Sequence, residues 1–296
     1  MNIFLFGKSG QIGNDIFKIF SENGDNVIFY SSKKLDISNI DHINEYKNIF
    51  KGVDFIINCA AYTAVDKAED EKDQALQTNH IGVKNLCMLC KELDLPLIHL
   101  STDYVFSGEK EVYSEIDETL PLSVYGISKE LAEKEIIFNL KKYFILRVSW
   151  VFGKYGNNFV KTILKLSKEK ESLNIVADQK GCPTSAKSIA QVIYNITKSN
   201  INEKQYGIYH YSNSEIVTWY DFAKKIVDIG NKYMSLKIRN ISPISTSEYP
   251  CKATRPKNSV LSCKKINDIF QIEQDSWEPY LEEVISNYSI QIIDEK

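Results

Sequence analysis

The chain has 296 residues and a formal charge of −3, from 36 Lys and Arg against 39 Asp and Glu. This length predicts two domains, or one large domain with an appended lobe, and suffices for a core without disulfide or metal staples. The near-neutral charge argues against a protein that coats nucleic acid, because neutralising phosphates requires an excess of basic residues on one face.

No hydrophobic stretch is long enough to suggest a membrane protein. The longest run without an acidic or basic residue, residues 55–65, is well short of the roughly 20 apolar residues that span a bilayer. The first ten residues lack the cationic region of a signal peptide. We therefore expect a cytoplasmic protein whose cysteines are reduced. Cys87 and Cys90 form one isolated CxxC, which is more typical of two small residues on a helix than of a metal or redox site.

The first half of the chain alternates short apolar runs with helical patterns. Strands are predicted at Asn2–Phe6, Asn26–Tyr30, Asp54–Cys59, Leu97–Ser101 and Tyr143–Val148. Helices are predicted from Ile12 to Gly24 and at Asp41–Phe50, Asp73–Leu93 and Ser128–Leu140. This alternation predicts an α/β fold with a doubly wound, Rossmann-like parallel sheet, whose ligand-binding edge lies at the carboxyl ends of the strands.

After Trp150 the pattern is less regular. Helices are predicted at Asn158–Lys168, Ala186–Thr197 and Thr218–Ile229, and strands at Leu173–Val176 and Gly207–Tyr211. We expect residues 1–150 to form a dinucleotide-binding domain. Residues 151–296 are expected to form mainly a smaller, partly interleaved C-terminal substrate lobe, with some segments returning to the first domain.

The first predicted strand ends in a glycine turn made by Gly7, Gly10 and Gly13. Glycines let the backbone approach a pyrophosphate closely, and the following helix offers free N–H groups and the positive end of its dipole. The spacing differs from the GxGxxG fingerprint, so a tight turn without a ligand is the alternative. Its place after the first strand favours a dinucleotide site.

The end of the second predicted strand bears on the choice of cofactor. An NAD site usually has an acidic residue there to hold the ribose hydroxyls, but this chain has Ser31, Ser32 and Lys33. Hydroxyls and an ammonium group suit a 2′-phosphate, so we predict NADPH as the cofactor, with NADH as the alternative. Lys33 could equally be a solvated loop charge.

The most informative spacing is that of Tyr125 and Lys129, which lie four residues apart near a helix start and so share one helix face. A nearby ammonium group lowers the pKa of a phenol, which lets the tyrosine act as a general acid. Thr102, after the fourth predicted strand, can polarise a carbonyl at the same edge. Together these three residues predict a carbonyl–alcohol oxidoreductase, although YxxxK by itself is common as a surface pair.

These residues and the order of elements resemble the extended short-chain dehydrogenase/reductase superfamily. Longer segments resemble one of its families, the dTDP-4-dehydrorhamnose reductases: GKSGQIG at 7–13, NCAAYTAVDKAE at 58–69, STDYVF at 101–106, RVSWVFG at 147–153, DQKGCPT at 178–184 and RPKNSVL at 255–261. The resemblance therefore extends over nearly the whole chain, and it implies reduction of a C4 keto group on a dTDP sugar with NAD(P)H.

The resemblance also implies individual roles. The catalytic residues would be Thr102, Tyr125 and Lys129. By the resemblance, the cofactor would contact Gly10, Gln11, Ile12, Asp36, Ile37, Ala61, Tyr62, Thr63, Tyr125 and Lys129. To these the residues of the glycine turn and of the second strand's end add Gly7, Gly13, Ser31 and Lys33, although Ser31 departs from the acidic residue that family members using NADH can carry there. The sugar nucleotide would contact Thr102, Asp103, Trp150 and Arg255. A tryptophan that leaves a buried strand, like Trp150, could also belong to the core.

Some family members form homodimers around Mg²⁺ through carboxylates, one of them early in the first helix. Asp15 matches that place, but the sequence identifies no further ligand, so the metal remains unknown. Three alternatives stay open for the activity: reduction of another nucleotide-linked 4-keto-6-deoxy sugar, a non-catalytic subunit of the same fold, and an epimerase or dehydratase. The intact Thr102, Tyr125 and Lys129 argue against the second, and Asp103 followed by Tyr104 argues against the third.

Overall fold

A computed structural model describes residues 1–294 of the chain. Its strands are β1 Asn2–Phe6, β2 Asn26–Ile28, β3 Phe55–Asn58, β4 Leu97–Thr102, β5 Tyr143–Val148, β6 Val151–Phe152, β7 Ser172–Val176, β8 Lys180–Gly181, β9 Thr184–Ser185, β10 Gly207–Tyr211, β11 Val217–Thr218 and β12 Asn240–Ile244. Its helices are α1 Gln11–Glu22, α2 Ile40–Glu45, α3 Val65–Ala68, α4 Lys72–Leu76, α5 Gly82–Leu93, α6 Val124–Asn139, α7 Phe159–Glu169, α8 Ala186–Lys198, α9 Trp219–Tyr233, α10 Lys264–Phe270 and α11 Glu278–Asp294.

The main sheet has six parallel strands in the order β2-β1-β3-β4-β5-β10. Strands β1, β3 and β4 are buried along almost their whole length and are mainly apolar, because helices cover both faces of the sheet. The chain adds β2 on one side of β1 and β3 on the other, so a crevice opens at their carboxyl ends. The predicted doubly wound fold is confirmed.

Each face of the sheet has its own apolar core. On one face, Ile16 and Phe20 of α1 and Ile189 and Ile193 of α8 pack against the sheet. On the other face, residues of α5 and α6 pack against it, including Val83, Leu86, Ala132 and Ile136. Because α8 and β10 come from the second half of the chain, the chain returns to the sheet after residue 150.

Helix α10 also packs against the sheet, through Ile266, whereas other second-half elements form a separate core. It joins α7, α9 and α11 through Phe152, Leu164, Phe222 and Leu281, among others. Two-stranded pairings flank it, namely β6 with β9, β7 with β12 and β8 with β11. Within residues 1–294, no helix has the length and apolar character needed to cross a membrane.

Several predicted elements differ from the structure. Helix α6 begins at Val124, four residues before the predicted Ser128, and α9 ends at Tyr233, four residues after the predicted Ile229. Strand β2 ends at Ile28, because the chain turns there and Phe29 and Tyr30 lie outside the sheet. The predicted helix Asp41–Phe50 is a six-residue α-helix followed by a 3₁₀ turn, Lys47–Phe50. The predicted helix Asp73–Leu93 begins one residue earlier and contains a π-helical turn, Gln77–Ile81, a local feature that apolar periodicity does not reveal.

Candidate active site

A cavity of about 480 Å³ lies at the carboxyl edge of the sheet, between the sheet and the second core. Eleven of the residues expected to act in the site line it: Gly10, Gln11, Ile12, Gly13, Ala61, Thr63, Thr102, Asp103, Tyr125, Lys129 and Trp150. Gly7 lies directly behind the turn and accepts a hydrogen bond from the Gly10 N–H. The sequence-predicted residues thus meet at one place, although they are spread over 140 positions of the chain.

Glycine is needed for different structural reasons at the three positions of the turn. Gly7 has φ +76°, and a Cβ there would lie 2.5 Å from the Ala60 nitrogen at the end of β3. A Cβ on Gly13 would lie 2.2 Å from the Gly7 oxygen, so both positions require glycine for packing alone. A Cβ on Gly10 would meet only the Gly7 oxygen, at 3.3 Å. Gly10 therefore leaves open space at the N-terminus of α1, where a pyrophosphate fits.

Several predicted cofactor residues do not line this cavity. Ser31 and Lys33 lie exposed in the turn after β2. The Asp36 carboxylate accepts hydrogen bonds from the backbone and hydroxyl of Ser38. The Ile37 side chain is buried against α5, where a Cβ on Gly82 would lie 2.6 Å from it. For Ile37, any contact with a cofactor must therefore come from its backbone.

Tyr62 also points elsewhere, since its hydroxyl donates a hydrogen bond to Glu71 at 2.5 Å. The backbone of Tyr62 is held by Asn79, which accepts from its N–H at 2.8 Å and donates to its carbonyl at 3.0 Å. Asn79 also donates to the Ser128 hydroxyl at 2.9 Å. This buried amide in the π turn thus joins the β3 loop to helix α6, a role that the sequence analysis missed.

Helix α6 places Tyr125 in its first turn. The helix begins where the Ser123 hydroxyl accepts a hydrogen bond from the Gly126 N–H at 3.2 Å. A Cβ on Gly126 would lie 2.3 Å from the Tyr104 oxygen, so glycine lets the helix approach the loop after β4. This approach brings the Tyr125 hydroxyl close to Thr102. Burial raises the pKa of Tyr125 to about 12, and the hydrogen bond with Thr102 partly opposes that increase.

Lys129 is almost fully buried, at 2% exposure, yet it lines the cavity. Its Nζ lies 2.6 Å from the Leu100 carbonyl oxygen and 3.1 Å from Nε2 of His99. Among residues 1–294, no carboxylate forms an ion pair with it at 4 Å or less. Burial lowers the pKa of Lys129 to about 8, which keeps the charged and neutral forms close in energy near neutral pH.

Thr102 is the last residue of β4, and Asp103 follows it directly. The Thr102 hydroxyl donates to Asp103 Oδ1 at 3.0 Å and accepts from the Tyr104 N–H at 3.2 Å. Burial raises the pKa of Asp103 to about 7, against the opposing effect of the hydroxyls of Ser259 and Thr102. Asp103 Oδ2 is buried without a well-formed hydrogen bond among the described residues, so it can accept one from a ligand hydroxyl.

Residues from beyond β5 close the cavity on its far side. Trp150 has φ +46°, a strained conformation for this residue type. Its ring stacks on that of Trp219 with centroids 3.5 Å apart. Asn158 caps α7 and donates a hydrogen bond to Gln11 Oε1 at 2.9 Å. The second core therefore contacts the glycine turn directly, and Trp219 and Asn158 are site residues that the sequence analysis missed.

A second cavity of about 680 Å³ adjoins the first, because Tyr104 and Trp219 line both. Arg255 lines it, and its guanidinium binds the Asp66 carboxylate with contacts of 2.5 and 3.1 Å. Arg255, which is predicted to bind the diphosphate, thus lies beside the site, but its guanidinium is already paired with the Asp66 carboxylate.

The residues around Asp15 do not fit a Mg²⁺ site. Asp15 lies in a separate cleft of about 280 Å³ with Glu283, and burial and Glu283 raise its pKa to about 6. Glu283 pairs with the ammonium group of Lys187 at 2.7 Å, and Lys18 and Lys154 line the same cleft. Within residues 1–294, no group of three or more His, Cys, Asp or Glu could hold a metal ion.

The cysteines bear no sign of redox or metal chemistry. Cys87 and Cys90 lie on α5 and are buried in the core, and all six cysteines are free. Cys59 lies at the end of β3 and lines the cavity, but burial raises its pKa to about 12. A thiol with such a pKa remains protonated and is a poor nucleophile.

Known proteins resemble this chain over almost its full length. The family model described as RmlD substrate binding domain matches residues 1–290. A dTDP-4-dehydrorhamnose reductase of Aggregatibacter actinomycetemcomitans is 40% identical over 288 residues, covering 95% of this chain and 97% of that protein. A crystal structure of a dTDP-4-dehydrorhamnose reductase from Clostridium acetobutylicum matches with a TM-score of 0.88 at 36% identity, covering 99% and 100%. One from Bacillus anthracis in complex with NADP matches with a TM-score of 0.87 at 36% identity, covering 96% and 98%.

Proposed function

Because this chain belongs to the RmlD substrate binding domain family, we propose that it reduces the C4 keto group of dTDP-4-dehydro-L-rhamnose to give dTDP-L-rhamnose. NADPH is the cofactor, in line with the NADP that the Bacillus anthracis relative binds. The observation that carries the proposal is the meeting of Thr102, Tyr125 and Lys129 with the Gly10 turn in one cavity. The protein is an oxidoreductase of dTDP-rhamnose biosynthesis.

The catalytic roles follow from the chemistry of these three residues. When bound, NADPH supplies a hydride to the carbonyl carbon. Tyr125 donates its proton to the developing alkoxide, and the raised pKa of its phenol keeps that proton in place until then. Thr102 donates a hydrogen bond to the same oxygen. Lys129, as an ammonium group turned toward the cavity, stabilises the phenolate that remains.

We assign the sugar nucleotide to the junction of the two cavities. Residues 151–296 mainly form the substrate lobe, and its second cavity is large enough for the nucleoside part. Trp150 and Asp103 lie on the side of the sugar, and Arg255 lies where a diphosphate could replace Asp66 as its partner. We also assign the protein to the cytoplasm, in agreement with six cysteines that are all free.

An assay with a panel of dTDP-4-keto sugars tests this function. We expect oxidation of NADPH with dTDP-4-dehydro-L-rhamnose, more efficient than with NADH, and a single product whose stereochemistry NMR identifies as rhamnose. A preference for a different 4-keto-6-deoxy sugar would identify the enzyme as another nucleotide-sugar reductase. If no sugar caused NADPH oxidation, a non-catalytic role for this fold would be favoured instead.

A further inference from the structure

A chain of buried polar groups leads from Lys129 into the sheet. Lys129 Nζ lies 3.1 Å from His99 Nε2, and His99 Nδ1 lies 3.1 Å from Asn58 Nδ2. Asn58 Oδ1 accepts a hydrogen bond from the Ala60 N–H at 3.0 Å. His99 and Asn58 are both fully buried, so water does not compete for these contacts. Neither residue was expected from the sequence.

The donor and acceptor of each hydrogen bond can be assigned by starting from Ala60, at the end of the chain farthest from Lys129. The Ala60 N–H is a donor, so the oxygen of the Asn58 amide must face it and the Nδ2 group must face His99. An amide group donates through nitrogen, so His99 Nδ1 must be the acceptor. A neutral imidazole has one protonated nitrogen, which leaves the proton of His99 on Nε2, facing Lys129.

This polarity determines which form of Lys129 fits. An ammonium group has three donors and no acceptor, so it would oppose the Nε2–H donor of His99. A neutral amine accepts from Nε2–H through its lone pair and donates to the Leu100 carbonyl at 2.6 Å. The neutral amine therefore pairs with both the Nε2–H group and the Leu100 carbonyl, whereas the ammonium group leaves the buried Nε2–H donor unpaired, which is costly.

We propose that His99, protonated on Nε2, is a positioning residue that stabilises the neutral amine of Lys129 in the free protein, so that this lysine loses its proton at a lower pH than a lysine in water. Lys129 then takes up a proton from solvent when it turns from the sheet toward Tyr125 and the bound cofactor. The cofactor part of this inference rests on the proposed function, whereas the assignment of the His99 tautomer does not. Binding of NADPH is thus coupled to the charge that the catalytic lysine needs.

The charged and titratable groups around Lys129 agree with this. Glu133 acts on it from its own helix, Cys59 from the end of β3 and His99 from β4. Glu133 favours the ammonium form, but burial outweighs it and lowers the pKa of Lys129 to about 8. Burial and Lys129 keep the pKa of His99 well below its ordinary value, so the imidazole is neutral.

His210 provides an internal reference with the opposite arrangement. Its Nδ1 lies 3.1 Å from the Tyr113 carbonyl oxygen, and its Nε2 lies 3.3 Å from Arg147 Nη1. A carbonyl oxygen accepts only, so His210 carries its proton on Nδ1 and accepts from the guanidinium. Two buried histidines, each beside a buried basic side chain, should therefore be opposite tautomers.

Nitrogen NMR of the ¹⁵N-histidine-labelled protein without cofactor tests the tautomers directly. We expect an Nε2–H tautomer for His99 and an Nδ1–H tautomer for His210, with the signals assigned from His99→Gln and His210→Gln. Asn58→Asp replaces the amide donor with an acceptor of the same shape, so it should convert His99 to the Nδ1–H form. An Nδ1–H tautomer of His99 in the unaltered protein would overturn the proposal.

Calorimetry of NADPH binding in buffers of different ionisation enthalpy tests the proton uptake. At pH 8.5 a pKa of about 8 corresponds to uptake of about three quarters of a proton. We expect this uptake in the unaltered protein and His210→Gln, and almost none in Asn58→Asp. Binding without uptake, or equal uptake in Asn58→Asp, would contradict the proposal. A failure of NADPH to bind would instead contradict the proposed function, and the tautomer measurement would still decide the assignment.

Discussion

Lys129 on helix α6 and Arg147 on β5 are two buried basic residues, each 2% exposed, and their surroundings differ. Arg147 forms a bidentate ion pair with Glu133, with contacts of 2.6 to 3.2 Å, and Ser101 also donates to Glu133. Lys129 has only neutral partners and lines the cavity. A buried cation with a complete set of partners serves the fold, whereas one without a carboxylate is available to a ligand.

The largest effect is expected on the Lys129 side of this comparison. Tyr125→Phe keeps the ring but removes the proton, so kcat should fall by about 10²–10⁴-fold. The melting temperature and the Kd for NADPH should stay close to those of the unaltered protein. Steady-state rates, thermal unfolding and a binding titration measure the three quantities. Near-full turnover would show that Tyr125 is not the proton donor.

On the Arg147 side, the effect should appear in stability. Glu133→Gln leaves a buried guanidinium without its counter-charge, which typically costs about 3–5 kcal/mol of unfolding free energy. The matched control is Glu92→Gln, which removes an exposed partner of Lys47 and should cost less than about 1 kcal/mol. Denaturant unfolding of both variants measures this difference. Equal losses would mean that the Arg147–Glu133 pair does not stabilise the fold.

In the glycine turn, too, one residue should matter for stability and another for cofactor binding. Gly13→Ala forces a Cβ to within 2.2 Å of the Gly7 oxygen and should destabilise the protein by about 1–3 kcal/mol. Gly10→Ala meets only a 3.3 Å contact, so stability should change little while the Kd for NADPH rises about tenfold or more. Loss of stability without loss of binding in Gly10→Ala would argue against a pyrophosphate at this position.

The smallest effect should be the pH dependence contributed by Asp103. Burial raises its pKa to about 7, above the value of about 3.9 in an unfolded chain, so the folded protein binds the extra proton between these values. Asp103 therefore lowers stability as pH rises from about 4 to 7, and the full cost remains above pH 7. Asp103→Asn should raise the melting temperature by a few degrees at pH 8 and leave it unchanged near pH 4. An equal change of the melting temperature at pH 8 and pH 4 would show that ionisation of Asp103 does not destabilise the protein.

Local patterns made much of the fold and site predictable. The apolar runs β1, β3, β4 and β5 and the spacing of Tyr125 and Lys129 need no distant information. His99 and Asn79 were missed because their partners lie far away in the sequence, at Lys129 and at Tyr62 and Ser128. One signal was available: His99 is a polar residue inside a buried apolar strand, and such a residue requires a partner.

Other parts depended on contacts that no local pattern contains. The pairing of Arg255 with Asp66 joins residues 189 positions apart, so the sequence could suggest a phosphate ligand but not its present carboxylate partner. Lys33 has the charge expected for a 2′-phosphate site, yet it lies in an exposed turn. Lys8, whose ammonium group lies 5.3 Å from the centre of the Phe29 ring just after β2, was not considered.

One measurement tests the central claim most directly: turnover of dTDP-4-dehydro-L-rhamnose with NADPH that carries deuterium at the transferred position. The account predicts dTDP-L-rhamnose with deuterium at C4, formed by the unaltered protein and by Glu92→Gln but not at a comparable rate by Tyr125→Phe. Absence of turnover, or deuterium at any other carbon of the sugar, would contradict it.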